Sequence, residues 1–263
     1  IAQCLVGSEM CIRDSFWGDF EISFQPLSFT VSSSDATDTW KNIRTNAVGN
    51  IVSATIEEHD DYDETYIYPL SASYSADGRL TNMVVTESYD GITATYSWAL
   101  EYEGGKLIRM VEEDTEPGYR YTTTYEYEYD TTGKRPNSGI SFFTEEDIVI
   151  IEQFQWYGGY WGLLSNEIPL RCKATYREEE DGEETYSSSK TTNYSVTFDS
   201  EDRVSTLTFS NTGERLTFTY ANESDNSAYS AASDVRPAST DVQPATGKSL
   251  HERIRANRAA WRR

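Results

Sequence analysis

The sequence predicts an all-β protein, an up-and-down antiparallel meander of roughly a dozen strands forming one strongly curved sheet or barrel. Three observations carry that expectation. Extended runs alternate strictly, so that Tyr125, Tyr127 and Tyr129 share one face while Thr124, Glu126 and Glu128 take the other, because successive strand side chains point to opposite sides. Turn clusters of one kind recur between the runs. Finally, only 37% of the residues are hydrophobic, but 19 Tyr and 10 Phe carry enough apolar area for a core.

The predicted strands follow from the alternation. The clearest cover residues 51–57, 65–74, 80–87, 92–102, 107–113, 119–129, 148–156, 170–176, 186–198, 204–209 and 216–220. Tyr194, Val196 and Phe198 repeat the one-sided pattern, as do Leu207 with Phe209 and Phe218 with Tyr220. Residues 35–46, around Trp40 and Ile43, read as either a short helix or a long loop.

The turns are variants of one theme, seen in Tyr74-Ser75-Ala76-Asp77-Gly78-Arg79-Leu80, Tyr102-Glu103-Gly104-Gly105-Lys106-Leu107, Tyr129-Asp130-Thr131-Thr132-Gly133-Lys134, Phe198-Asp199-Ser200-Glu201-Asp202-Arg203-Val204 and Phe209-Ser210-Asn211-Thr212-Gly213-Glu214-Arg215-Leu216. An aromatic ends a strand, Asp, Asn or Gly supplies the positive φ a hairpin needs, and a basic residue opens the return. Hairpins such as these resemble those of a family of Bacteroidales lipoproteins of unknown function described as having a porin-like fold. The likeness spans residues 51–220 and includes the Ser165-Asn166-Glu167-Ile168-Pro169 turn ahead of a long late strand. The hairpins are also similar to the Tyr-Asp repeats of large secreted toxins. The lipoprotein resemblance implies export, a lipid anchor near the start and a curved β-sheet or barrel. It implies no reaction and no catalytic residue, and it does not extend to the basic tail.

Four segments are expected. Residues 5–14 resemble a translated sequencing adapter, so residues 1–15 are read as an artefact, with any export signal or anchoring cysteine upstream of it. Residues 16–220 form a single β-meander domain, and residues 221–247, rich in Ser, Ala, Asp and Pro, form a flexible linker. Residues 248–263 carry six basic residues against one Glu, a net of +5. Leu250, Ile254 and Trp261 make a helical stripe that Asn257 breaks, so this tail is read either as a basic amphipathic helix or as an artefact.

Charge narrows the partners. A net charge of −22 repels phosphate backbones, which excludes nucleic acid for the main domain. No apolar stretch is long enough for a membrane helix, and membrane association is expected through a lipid anchor ahead of the sequence, with the basic tail on an anionic membrane and a membrane-embedded barrel as alternatives. Three cysteines, Cys4, Cys11 and Cys172, provide no even disulfide framework. The alternation of Glu126 and Glu128 with tyrosines favours water on the polar face over a lipid belt.

No enzyme is predicted. The chain has two histidines, His59 in an acidic turn and His251 in the tail, which leaves nucleophilic catalysis without a base. Acidic clusters at residues 57–64, 112–116 and 178–184 offer oxygen ligands of the kind calcium takes, but none keeps a ligand-loop spacing, and solvated hairpin tips explain them better. No metal site and no cofactor motif is found. The sharpest local feature is Phe154-Gln155-Trp156-Tyr157-Gly158-Gly159-Tyr160-Trp161-Gly162. Trp156, Tyr157, Tyr160 and Trp161 are the candidate ligand-binding residues, set for stacking on sugar rings or, alternatively, for plugging one end of the sheet. The expected function is a non-catalytic cell-envelope or secreted lipoprotein domain that binds or presents something; the alternative is a carbohydrate-binding or carbohydrate-processing protein built on that aromatic segment.

Overall fold

The computed structural model describes residues 10–14, 18–25, 28–32, 36–60, 65–89, 91–131, 135–136, 165–211, 213 and 215–217, with side chains from residue 39 onward. The described residues form fourteen strands: β1 Met10–Asp14, β2 Gly18–Gln25, β3 Ser28–Ser32, β4 Ala36–Thr45, β5 Ile51–Asp60, β6 Thr65–Tyr74, β7 Leu80–Tyr89, β8 Ile92–Glu103, β9 Lys106–Glu116, β10 Tyr119–Glu128, β11 Arg171–Glu180, β12 Glu183–Phe198, β13 Val204–Phe209 and β14 Arg215–Thr217. They make one antiparallel sheet whose spatial order is the chain order. The ladder is open: among the described residues β1 and β14 do not pair with each other.

Three hairpins share one five-residue loop. In the β4–β5, β6–β7 and β12–β13 turns the first residue, Asn46, Ser75 or Asp199, donates its backbone N–H to the carbonyl of the fifth, Asn50, Arg79 or Arg203, at 2.8–2.9 Å. The fourth residue takes a positive φ, 92° at Gly49, 84° at Gly78 and 58° at Asp202. The first residue's side-chain oxygen then accepts the fifth residue's N–H at 2.9–3.1 Å, which is why Asn, Ser and Asp serve there. Tight two-residue turns close other hairpins, such as Gly104-Gly105 with φ of 56° and 82°, the pair of positive angles that matches strand twist.

One face of the sheet holds the core. Trp40, Ile51, Val85, Ala94 and Met110 are fully buried, and Trp98, Tyr68, Tyr96 and Tyr125 nearly so. Strand-end tyrosines tie neighbouring hairpins together: the Tyr74 hydroxyl donates to the Ile51 carbonyl and the Tyr129 hydroxyl to the Leu107 carbonyl, both at 2.7 Å. The other face is polar, and directly opposed residues pair by charge, as Glu126 does with Lys173 and Glu128 with Arg171.

Three expectations change. Residues 36–45, read as helix or loop, are strand β4. Trp40 is buried and faces Ile56 on β5, so tertiary packing overrides the weak local pattern. Second, Arg135 and Pro136, just past the Tyr129–Lys134 cluster, lie in none of the strands. β10 pairs with β11, which starts at Arg171, and residues 165–170 first dock along the strand ends. There the Asn166 N–H donates to the Gly105 carbonyl at 2.9 Å, and Arg135 donates to the carbonyls of Pro169 and Tyr194 at 2.7 Å each. Third, the sheet has more strands than the alternation marked, because β1 to β3 precede residue 35. The expected strand over 148–156 lies outside the described residues.

Candidate functional site

The inner face is apolar at one end and acidic at the other. Period-2 alternation continues past the hydrophobic run on four strands and places a carboxylate inward: Ala54, Ile56, Glu58 on β5; Met83, Val85, Glu87 on β7; Met110, Glu112, Asp114 on β9; Cys172, Ala174, then Glu178 on β11. Glu58, Glu87, Glu112, Asp114 and Glu178 are 0–6% exposed.

Tyrosines from the even-numbered strands interleave with them. One register row reads Val85, Tyr96, Asp114, Tyr121, Glu178, Tyr186 across β7 to β12. The phenols donate diagonally to the acids: Tyr68 to Glu58 at 3.1 Å, Tyr96 to Glu87 at 3.2 Å, Tyr125 to Glu112 at 3.4 Å and Tyr119 to Glu178 at 3.0 Å. In the first three pairs the tyrosine sits on the next strand, two residues beyond the position opposite the acid. The hairpin repeat therefore carries a second signature, an acid near the end of one strand and a phenol inside the next.

A second row reads Met83, Trp98, Glu112, Thr123, Tyr176, Ser188. Thr123 is fully buried and Trp98 is 1% exposed. Among the described residues the Thr123 Oγ1 and the Trp98 Nε1, on either side of Glu112, have no hydrogen-bond partner, and neither has the buried Tyr127 hydroxyl. Unpaired buried polar groups are rare in native folds.

Acids on alternate strands stand about 10 Å apart at the backbone, whereas Glu112 and Asp114 share β9 two residues apart; among the described residues no group of His, Cys, Asp or Glu is placed to hold a metal ion. Reading the acidic clusters as solvated hairpin tips is corrected for Glu58, Glu112, Asp114 and Glu178. Their neighbours Glu57 and Glu113 do face outward, with ion pairs to Lys41 and Arg120. Continuing the alternation by two residues past each apolar run was the signal available in the sequence.

On the outer face, His59 lies between Glu57 and Thr65, with Nε2 at 2.9 Å from the carboxylate and Nδ1 at 2.9 Å from the hydroxyl. Hydrogen bonds from Lys41 and then His59 hold the Glu57 carboxyl below its ordinary range. At the opposite end of the sheet, burial raises the phenols of Tyr74 and Tyr102, and pushes Tyr129 up to about 12. Arg79 lies 5.4 Å from the Tyr102 ring centre and donates to Asn166 at 3.1 Å. Cys172 is a buried thiol. Trp156, Tyr157, Tyr160 and Trp161 lie outside the described residues.

No family model matches the sequence, and no curated protein matches it. Among solved structures the chain is similar to a porin-like protein from Bacteroides uniformis at 16% identity, over 72% of this chain and 67% of that one, with a TM-score of 0.47. It is similar also to a porin-like protein from Bacteroides vulgatus at 10% identity, over 77% of this chain and 87% of that one, with a TM-score of 0.48. Likeness at this level bears on neither ligand nor activity.

Proposed function

We propose that this chain is a non-catalytic binding domain of the cell envelope or extracellular space, a lipoprotein whose sheet curls so that its inner face receives a polar ligand. One observation carries the reading: Thr123 Oγ1 and Trp98 Nε1 are buried without a partner beside Glu112, inside a layer of buried acids and phenols. Burying a carboxylate costs several kcal/mol even when it is hydrogen-bonded. Five of them on one face are therefore poor stabilisers, and local violations of folding logic concentrate at functional positions.

The same face supports curvature. Its residues reach 0% exposure although no second layer of strands or helices lies over it among the described residues, as a sheet coiled on itself would provide. The polar outer face, with ion pairs such as Arg109–Glu101 and Arg177–Glu184, supports a sheet standing in water. Non-catalysis is supported by the interleaving, in which phenols stand between the acids of different strands, and by His59, which pairs with Thr65 at the end of the β5–β6 ladder on the outer face.

A saccharide is the ligand class these groups suit. Its hydroxyls donate to carboxylates and accept from Trp98 and Thr123, and the rings of Trp156, Tyr157, Tyr160 and Trp161 would add stacking. The test is a glycan array with the full chain, repeated with Thr123→Val and Trp161→Ala. Binding lost with Thr123→Val, in a protein as stable as the parent, supports the inner face; loss only with Trp161→Ala moves the site to the aromatic segment. Absence of glycan binding, or binding indifferent to both substitutions, rejects the reading.

A further inference from the structure

Among the described residues β12 is the longest strand, and from residue 183 to residue 192 one of its edges has no partner strand. β13 pairs with it only from Tyr194 to Phe198. At the boundary the Asn193 carbonyl accepts the Ser210 N–H at 3.0 Å and the Asn193 N–H donates to the Ser210 hydroxyl at 2.9 Å. The chain then leaves through Asn211 and Gly213 into β14. The backbone groups of Asn193 thus point to the β13 side, whereas the Tyr194 N–H points the other way, to the Leu170 carbonyl. Residues two apart on a strand point alike, and the β11–β12 register has no shift between Ser187 and Asn193. The N–H and C=O groups of Ser187, Ser189 and Thr191 therefore all face the vacant side, and all three residues are exposed.

Exposed edges are ordinarily blunted by Pro, Lys or a bulge. Among residues 187–191 Lys190 is the one residue of that kind, and the N–H and C=O groups of Ser187, Ser189 and Thr191 leave six backbone groups ready for an added strand. The flank of this edge is acidic. Glu180, Asp181 and Glu183 are exposed, and no ion pair among the described residues reaches them; Glu184 and Glu179 are met by Arg177 and Arg120.

We propose that the 187–191 edge of β12 is a docking site for an extended, basic polypeptide segment, which adds a strand collinear with β13 and sets its Lys or Arg side chains against Glu180, Asp181 and Glu183. Backbone pairing supplies affinity and the acidic flank supplies selectivity. The chain's own charge of −22 opposes a second copy in that place.

The probe is a labelled ten-residue peptide alternating Lys with Val, compared with its Glu–Val counterpart, on the full chain at low salt. Amide hydrogen exchange at Ser187, Ser189 and Thr191 should slow when the Lys–Val peptide is added and not when the Glu–Val peptide is. Ser189→Pro removes an edge N–H without touching the β11 ladder and should weaken binding at least tenfold. Glu180→Lys with Glu183→Lys should weaken it at low salt and abolish its salt dependence. Unchanged exchange at saturating peptide, or binding indifferent to both variants, overturns the proposal. Protection already present in the dilute chain would mean that the chain covers its own edge. Protection that grows with protein concentration would mean that a second copy occupies it. Either outcome replaces the basic partner.

Discussion

Replacing Glu58 by Gln should stabilise the protein, although it removes a buried hydrogen-bonded group. Glu58 is 3% exposed and accepts from the Tyr68 hydroxyl at 3.1 Å; Tyr68 is 2% exposed. Burial of the carboxylate carries an effective penalty of several kcal/mol, while a hydrogen bond to a charged group contributes about 1.5–3 kcal/mol. The isosteric amide relieves the burial penalty and keeps an acceptor for Tyr68, for an expected gain of about 1–3 kcal/mol. In a domain of this size that raises the thermal midpoint by about 2–4 °C per kcal/mol. Tyr68→Phe does the reverse: it deprives a buried carboxylate of a donor and costs about 1–3 kcal/mol. In the Glu58→Gln background the same substitution should cost much less, with a coupling of at least about 0.5 kcal/mol. Urea denaturation of the two single variants and the double variant closes the cycle. Destabilisation by Glu58→Gln, together with additive effects, would show that the acid layer is ordinary structure and would refute the idea that stability was given up for binding.

Three further outcomes are expected. Because Tyr129 is raised to about 12 from an unfolded value near 10, the native state holds its proton where the unfolded state has lost it; stability is intact below about pH 10 and falls by about 1.4 kcal/mol per pH unit between the two. Tyr74 and Tyr102 are raised as well and steepen the fall; urea midpoints from pH 9 to 12 should show it, and Tyr129→Phe should flatten the slope. Gly105→Ala should destabilise by about 2 kcal/mol, since φ is +82° and a Cβ would meet the Asn166 side chain, which bonds to Arg79 and, through its backbone, to Gly105 hold in place, whereas Gly78→Ala meets open space and bears only its φ of +84°; equal losses in urea titration would contradict the docking of residues 165–170. Arg135→Met leaves the carbonyls of Pro169 and Tyr194 without their 2.7 Å donors and should cost about 2–4 kcal/mol, read by the same titration; a change within about 0.5 kcal/mol would show that those bonds are incidental.

The repeat was legible wherever local chemistry determines it. Turn residues such as Ser75 and Asp199 act on atoms two to four positions away, and alternation such as that of Tyr125 and Tyr127 needs only the strand's own pleat. Strand β4 was not legible, because Trp40 is held by Ile56 across the ladder rather than by any local pattern. The acid layer was hidden for a different reason. Glu58 stands next to Glu57, Glu112 next to Glu113, and Glu178 heads a run to Glu180, so a composition window sees one solvated cluster. Strand geometry sends adjacent members to opposite faces, and only parity carried beyond the apolar run tells them apart. Continued that way, parity turns Glu58, Glu112, Asp114 and Glu178 inward and leaves their neighbours in water.

A sheet laid down in chain order has consequences for how it is made. Nearly every pairing joins strands separated by a short turn and can form early, as each hairpin is completed. The pairing of Glu128 with Arg171, 43 residues apart, is the exception. Contacts between positions that far apart in the chain form later than those across a short turn. The β10–β11 seam is thus the late step that divides the strands up to β10 from those after it. Slow phases in refolding should trace to that seam, and so should the tendency of one molecule's last strands to complete another's sheet.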